Sequence, residues 1–123
     1  MSDQLLSTRR DVRYALRPGA AFLSIPTDGL DEPSTVAPVT LISLSGVAFR
    51  LDAFRMDLGP GGLIKDAVIR VGACEIAGNL AIREVHHTTG SEVEVGALFY
   101  PSDIEDENRH MALIAGIEAV RED

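Results

Sequence analysis

Alternation of apolar residues along short segments is the feature of this sequence that most constrains its fold. The pattern is clearest from Glu92 to Tyr100, where every second residue is Val93, Val95, Ala97 or Phe99. Successive side chains of a strand point to opposite faces, so this segment predicts a strand with one buried face and one face toward water.

Further strand-like segments precede it at short spacing. They are Ala20–Ile25, Val36–Leu44, Val47–Leu51, Ile64–Val71 and Cys74–Val85. Glycine and proline separate them, in the turn 26–29 with its extension 31–34 and in the connection 52–62, while Thr88–Ser91 predicts a hairpin. Many short strands with such connections predict an antiparallel barrel or sandwich.

The chain changes character at Pro101. Ser102 or Asp103 can cap a helix, and acidic residues fill the positions that a helix dipole favours in its first turn. The apolar face that follows consists of Met111, Leu113, Ile114, Ile117 and Val120. We expect a helix from about residue 103 that packs on the barrel or closes one end of it.

Length and composition favour one globular domain. The chain has 123 residues, of which 46% are hydrophobic and 24% charged. No apolar run approaches the length of a membrane span, and the N-terminus lacks the pattern of a secretory signal, so we expect a cytoplasmic protein without membrane insertion. The single Cys74 allows neither an internal disulfide nor a thiolate metal cage.

Positive charge is concentrated near the N-terminus of an acidic chain. The formal net charge is −8, yet four arginines lie at positions 9, 10, 13 and 17 with Asp11 between them, so this segment is +3 and the remainder −11. The acidic remainder excludes broad binding to nucleic acid. A local cationic cluster can still select a small anion. The alternative is a solvated basic tail.

A strand, an abrupt turn and a second strand make up the other notable stretch, from Thr40 to Phe49. Strict alternation predicts that Ile42 and Leu44 share one face, and that Val39, Leu41 and Ser43 share the other. The turn residues Ser43, Ser45 and Gly46 provide hydroxyl groups and a flexible backbone, which predicts outward-facing donors suited to an anion.

Together these two stretches resemble the PilZ domain family, which binds the bacterial second messenger cyclic di-GMP. The family marks are two arginines separated by three residues, and later Asp or Asn, one residue, Ser, two residues and Gly. Here they are Arg9-Arg-Asp-Val-Arg13 and Leu41-Ile-Ser43-Leu-Ser-Gly46. A later Gly96-Ala-Leu-Phe99 and a terminal helix also fit, and the resemblance covers nearly the whole chain.

The resemblance implies a fold and a ligand. The fold is an antiparallel six-stranded β-barrel of the split-barrel type with a C-terminal helix, formed by residues 18–123 after a flexible arginine segment, residues 1–17. Cyclic di-GMP is the implied ligand, and no cofactor or metal is implied. The implied binding residues are Arg9, Arg10, Arg13, Leu41, Ser43, Ser45 and Gly46. The signal would pass to an unidentified downstream protein, with motility or biofilm formation as the output.

Leu41 departs from the family pattern, which has a side chain there that accepts hydrogen bonds from guanine. Losing such a bidentate contact costs about 1–3 kcal/mol. A second reading is therefore a PilZ-like protein adaptor that has lost ligand binding. A third, a small hydrolase or isomerase, requires a cleft with His86 or His87 beside a carboxylate. We expect no enzyme, because no nucleophile with a neighbouring base is visible, and we expect all three histidines, including His110, to be surface or packing residues.

Overall fold

The computed structural model describes residues 12–26, 35–52, 59–88 and 90–121, with side chains of the C-terminal helix described as far as Ile117. Several expected features lie outside these ranges. They are the polar start of the chain, Arg9, Arg10, most of the turn and loop after Pro26, residues 53–58 of the next connection, and Thr89.

Antiparallel strands form a closed barrel in the described part of the chain. The strands are β1 (Tyr14–Ala15), β2 (Ala21–Ile25), β3 (Thr35–Ile42), β4 (Gly46–Asp52), β5 (Leu63–Val71), β6 (Cys74–His87) and β7 (Glu92–Pro101), followed by helix α1 (Ile104–Arg121). Their order is β1-β3-β2-β5-β6-β7-β4, and a further β3–β4 pairing closes the last six into a ring. The predicted six-stranded barrel with a C-terminal helix is confirmed, with β1 as an additional strand.

The sheet begins earlier than expected. Tyr14 pairs with Ile42 and Ala15 pairs with Leu41, and the Leu16 N–H donates to the Thr40 carbonyl at 2.9 Å. Residues 14–16 therefore belong to the folded body, inside the segment that was expected to be flexible.

Three register shifts interrupt the alternation that the sequence suggests, and the one on β5 lies between Ile64 and Ala67. On β3 the register shifts between Val39 and Leu41, which makes Thr40 the extra residue. On β6 it shifts between Ile82 and Glu84, which makes Arg83 the extra residue. A bulge turns the residues beyond it to the opposite face. The expectation that Val39 and Leu41 share a face is therefore wrong: Val39 is buried and Leu41 is half-buried on the outer side.

Inward-facing side chains from all six barrel strands form the core. The largest fully buried ones are Phe49, Leu23, Ile25, Ile42, Ile69, Ile76, Leu80, Ile82 and Val95. Each such side chain contributes roughly 1.5–3 kcal/mol relative to an exposed position. The core therefore holds the barrel wall rigid where the outer face carries polar groups.

Helix α1 starts with a side-chain cap. The Asp106 N–H donates to Asp103 Oδ1 at 2.9 Å, and this backbone hydrogen bond lowers the pKa of Asp103. Asp106 Oδ1 in turn accepts the Ala77 N–H of β6 at 3.0 Å. Ile114 and His110 are buried against the barrel, so the helix packs on it as expected. Within the described ranges no helix is long and apolar enough to cross a membrane.

Candidate functional site

Four residues on neighbouring strands form one row across the outer face of the barrel. Leu41 pairs with Ala48, Ala48 with Gly96, and Gly96 with Glu84. Directly paired residues of antiparallel strands project to the same side. The two middle positions are small, so the row forms a shallow trough with Leu41 at one rim and Glu84 at the other.

A cavity of about 530 Å³ lies over this trough. Five of the seven predicted site residues line it: Arg13, Leu41, Ser43, Ser45 and Gly46. Arg9 and Arg10 lie outside the described residues. The cavity is also lined by Arg83, Glu84, His86 and Glu94, of which the sequence suggested only His86, for the enzyme alternative.

Strand β1 is the reason that Arg13 reaches the serine turn. Its two residues pair with the last two residues of β3, so Arg13 follows the line of the sheet past Ile42 toward Ser43. Arginine and turn are separated by about thirty positions in the sequence, and the pairing brings them to one cavity. The requirement that the leading segment can reach the turn is therefore met for Arg13.

The turn itself is bonded internally. The Ser43 hydroxyl accepts the Gly46 N–H at 3.1 Å and the Ser45 N–H at 3.3 Å, and the Ser43 N–H donates to the Gly46 carbonyl at 2.9 Å. The Ser43 side chain is buried. The expectation that these groups face outward as donors is therefore wrong for the Ser43 hydroxyl and for the Gly46 N–H.

Gly46 is required by the close approach of β7. An ideal Cβ at this position would overlap the Ala97 carbonyl oxygen and lie 3.2 Å from Leu98 Cα, and both belong to the backbone of the neighbouring strand. The sequence suggested a glycine needed for flexibility, but its φ is not among the positive ones. The motif glycine is a packing requirement of the barrel.

His110 connects the turn to helix α1. Its Nε2 lies 2.9 Å from the Ser43 carbonyl oxygen, which can only accept, so Nε2 carries the proton. The ring also packs edge-on against Phe99, with centroids 5.4 Å apart. Burial lowers the pKa of His110, and the bond to Ser43 opposes that shift in part. The predicted packing role is confirmed, and its partner is a backbone carbonyl, which has no sequence signature.

The bulge on β6 places Glu84 at the rim of the trough opposite Leu41. Strict alternation from Ile82 would turn Glu84 into the core, but the extra residue Arg83 places Glu84 on the outer face and returns Val85 to the inner one. The sequence does carry a signal for this: the alternation Ile76, Leu80, Ile82 breaks at Arg83 and Glu84 and resumes at Val85.

A histidine beside a carboxylate is present in this cavity. His86 Nε2 lies 3.0 Å from Glu84 Oε2, which meets the geometric condition for the hydrolase or isomerase alternative. Both side chains are more than half exposed. The Ser43 hydroxyl accepts hydrogen bonds from N–H groups of its own turn. The pair therefore supplies a polar rim to the cavity.

The described residues that line the cavity carry equal numbers of positive and negative charges. Arg13 and Arg83 are cationic, while Glu84 and Glu94 are anionic. Glu94 is committed to neighbours, because its Oε2 accepts the Thr40 hydroxyl at 3.2 Å and lies 3.7 Å from Arg50 Nε. An anion at this site would therefore require additional positive charge beyond the described lining.

Comparison with known proteins identifies the fold. No protein-family model and no curated protein matches the chain. Among solved structures, K. pneumonia MrkH in complex with c-di-GMP matches with a TM-score of 0.71 and 22% identity, over 94% of this chain and 55% of that one. The PilZ domain of Escherichia coli YcgR with c-di-GMP matches with a TM-score of 0.69 and 14% identity, over 92% and 93% of the two chains.

A third match, the Bacillus subtilis inhibitor of motility (MotI/DgrA), has a TM-score of 0.69 and 14% identity, over 90% of this chain and 51% of that one. The chain thus spans about half the length of the MrkH chain and nearly all of the isolated YcgR domain. The resemblance suggested by the sequence is confirmed at the level of the fold.

Proposed function

We propose that this chain, which has the fold of a PilZ domain, is a bacterial receptor that binds cyclic di-GMP in the cavity between Arg13 and the serine turn. One observation carries the proposal: Arg13, Ser43 and Gly46, distant in sequence, line one outer-face cavity of this fold. MrkH and YcgR, which share the fold, were solved with c-di-GMP.

The chemistry of the cavity suits such a ligand. Cyclic di-GMP offers two phosphates and two guanines, and a guanidinium group can fork onto a phosphate or onto the O6 and N7 atoms of guanine. The small residue Ala48 leaves a floor on which a planar base can lie, beside the Glu84 side chain that covers Gly96. Arg9 and Arg10 would join Arg13 at the ligand and supply the positive charge that a doubly negative molecule requires.

The signal would leave the site through helix α1. The carbonyl of Ser43 is held by His110, so a ligand that moves the serine turn also changes a contact of the helix. The differential contact between free and bound forms would alter the surface offered to a downstream protein in the cytoplasm. Contacts of residues 1–11 with the ligand would add to this change. No catalytic step is part of the proposal.

Isothermal titration calorimetry with cyclic di-GMP tests the proposal. Wild-type protein should bind, and Arg13→Ala should weaken binding about tenfold to a hundredfold, the value of one bidentate contact. Arg70→Ala is the matched control, because Arg70 is an exposed arginine paired with Glu75 at 2.8 Å and does not line the cavity. Unchanged affinity in the Arg13 variant would remove this mechanism.

The second candidate is a PilZ-like adaptor that binds a protein but no cyclic di-GMP. Leu41 favours it, because this side chain lines the cavity and cannot accept a hydrogen bond from guanine. Absence of heat in the wild-type titration, together with failure of Leu41→Asp to create binding, would favour the adaptor.

A further inference from the structure

We propose that Glu84 recognises guanine in this cavity by accepting hydrogen bonds from its N1–H and N2–H groups, from the rim opposite Leu41. The inference rests on the proposed function, and it names the residue that gives that site its base specificity. It assigns a role to a side chain that the sequence motifs do not include.

The register of β6 against β7 places Glu84 at the site. It ends the row that runs from Leu41 through Ala48 and Gly96, so the two rims stand three strand spacings apart, about 14 Å. The β6 bulge turns Glu84 outward onto this face. A carboxylate therefore stands on the rim opposite Leu41, whose side chain offers no acceptor.

The side chain leans over the floor of the trough. A Cβ built on Gly96 would lie 3.2 Å from Glu84 Cγ and 3.5 Å from Glu84 Oε1, so the glutamate occupies the space above this glycine. Its other oxygen, Oε2, is bonded to His86 at 3.0 Å. His86 thereby holds the carboxylate in place while Oε1 points over the floor, where a base would lie.

Glu94 is the other carboxylate among the described residues that line the cavity, and it is less suited to this role. Its side chain is 32% exposed against 53% for Glu84, and the Thr40 hydroxyl and Arg50 already engage its Oε2. Each of the two carboxylates has one engaged oxygen, so the openness of the approach to the other oxygen decides between them. Glu84 has the greater access.

Guanine and a carboxylate match in a way that other purines do not. The N1–H and N2–H groups of guanine both donate, and a carboxylate accepts with two oxygens. Adenine has an acceptor at N1, which a carboxylate would repel. Hypoxanthine keeps the N1–H but lacks the amino group at C2. The ligand cyclic di-IMP therefore isolates one of the two contacts.

Calorimetry of the full chain with cyclic di-GMP and cyclic di-IMP tests the assignment. Wild-type protein should bind cyclic di-GMP about tenfold or more tightly than cyclic di-IMP, since a hydrogen bond to a charged group is lost. Glu84→Ala should weaken cyclic di-GMP binding and bind both ligands equally. Glu75→Ala is the matched control: a charged, exposed glutamate of the same strand, paired with Arg70 away from the cavity.

The outcomes separate the two proposals. A wild-type protein without affinity for cyclic di-GMP would overturn the proposed function and this inference with it. A wild-type protein that binds, combined with a Glu84→Ala variant that keeps the preference over cyclic di-IMP, would overturn the inference alone. Tighter binding of both ligands by Glu84→Ala would also overturn it, since Glu84 would then act only by repelling phosphate. Circular dichroism melting checks that each variant is folded.

Discussion

Replacing Gly46 by alanine should destabilise the barrel strongly. The added Cβ would overlap the Ala97 carbonyl oxygen and crowd Leu98, and neither can move without shifting β7. Overpacking of this kind costs roughly 1–3 kcal/mol. Separation of the strands would also weaken the hydrogen bonds from the Ser43 N–H to Gly46 and from the Phe99 N–H to Ser45, both 2.9 Å long, at about 0.5–1.5 kcal/mol each. The expected loss is about 2–6 kcal/mol.

Gly116→Ala provides the same chemical change with the opposite expected sign. Gly116 lies inside α1, and a Cβ there would meet no atom within 4 Å. Alanine is favoured over glycine in a helix interior by up to about 1 kcal/mol. This variant should therefore be as stable as the wild type or more stable.

Urea denaturation followed by circular dichroism measures both variants against wild type. The midpoint should fall for Gly46→Ala and stay or rise for Gly116→Ala, with similar slopes for all three proteins. A Gly46→Ala variant within about 0.5 kcal/mol of wild type, below the usual cost of overpacking, would refute the reasoning. The motif glycine would then have to be explained by its ligand alone.

Two further predictions concern the turn and its surroundings. Burial lowers the pKa of His110 from its ordinary 6.5, so the unfolded chain takes up this proton first as the pH falls below about 6.5. The free energy of unfolding should therefore decrease, by at most about 1.4 kcal/mol per pH unit until the folded-state pKa is reached. His110→Gln keeps an N–H donor for Ser43 and should lose that part of the dependence in urea titrations at several pH values; an unchanged profile would contradict it. Leu41→Asp should tighten cyclic di-GMP binding about tenfold to a hundredfold by calorimetry if the proposed receptor function holds, and equal affinity would count against a guanine contact at position 41.

Much of the fold could be predicted from local sequence. The alternation of Glu92–Tyr100 gave a strand that the structure extends by only one residue, to Pro101. The acidic residues after Pro101 predicted a helix start near 103, and α1 begins at Ile104 with Asp103 as its cap. These features depend on neighbours within a few positions, which is the range over which a sequence pattern carries information.

The site could be predicted only in part. Arg13, Ser43 and Gly46 were identified because a motif with known spacing marks them, and they do line one cavity. The roles predicted for these residues were less accurate. Gly46 is required by the close approach of β7, and the Ser43 hydroxyl accepts a hydrogen bond within its own turn. Such contacts join residues from different strands, so no local pattern specifies them.

The sequence by itself determined the strands, the terminal helix and the presence of a cationic segment near a serine turn. Tertiary structure decided which side chains lie together on the outer face of the barrel. Two single-residue bulges, at Thr40 and Arg83, turn Leu41 and Glu84 outward, and strand pairing sets them across Ala48 and Gly96 in one row. Because side chains alternate with a period of two, one extra residue exchanges inside for outside, and pairing with the partner strand determines where that residue is inserted.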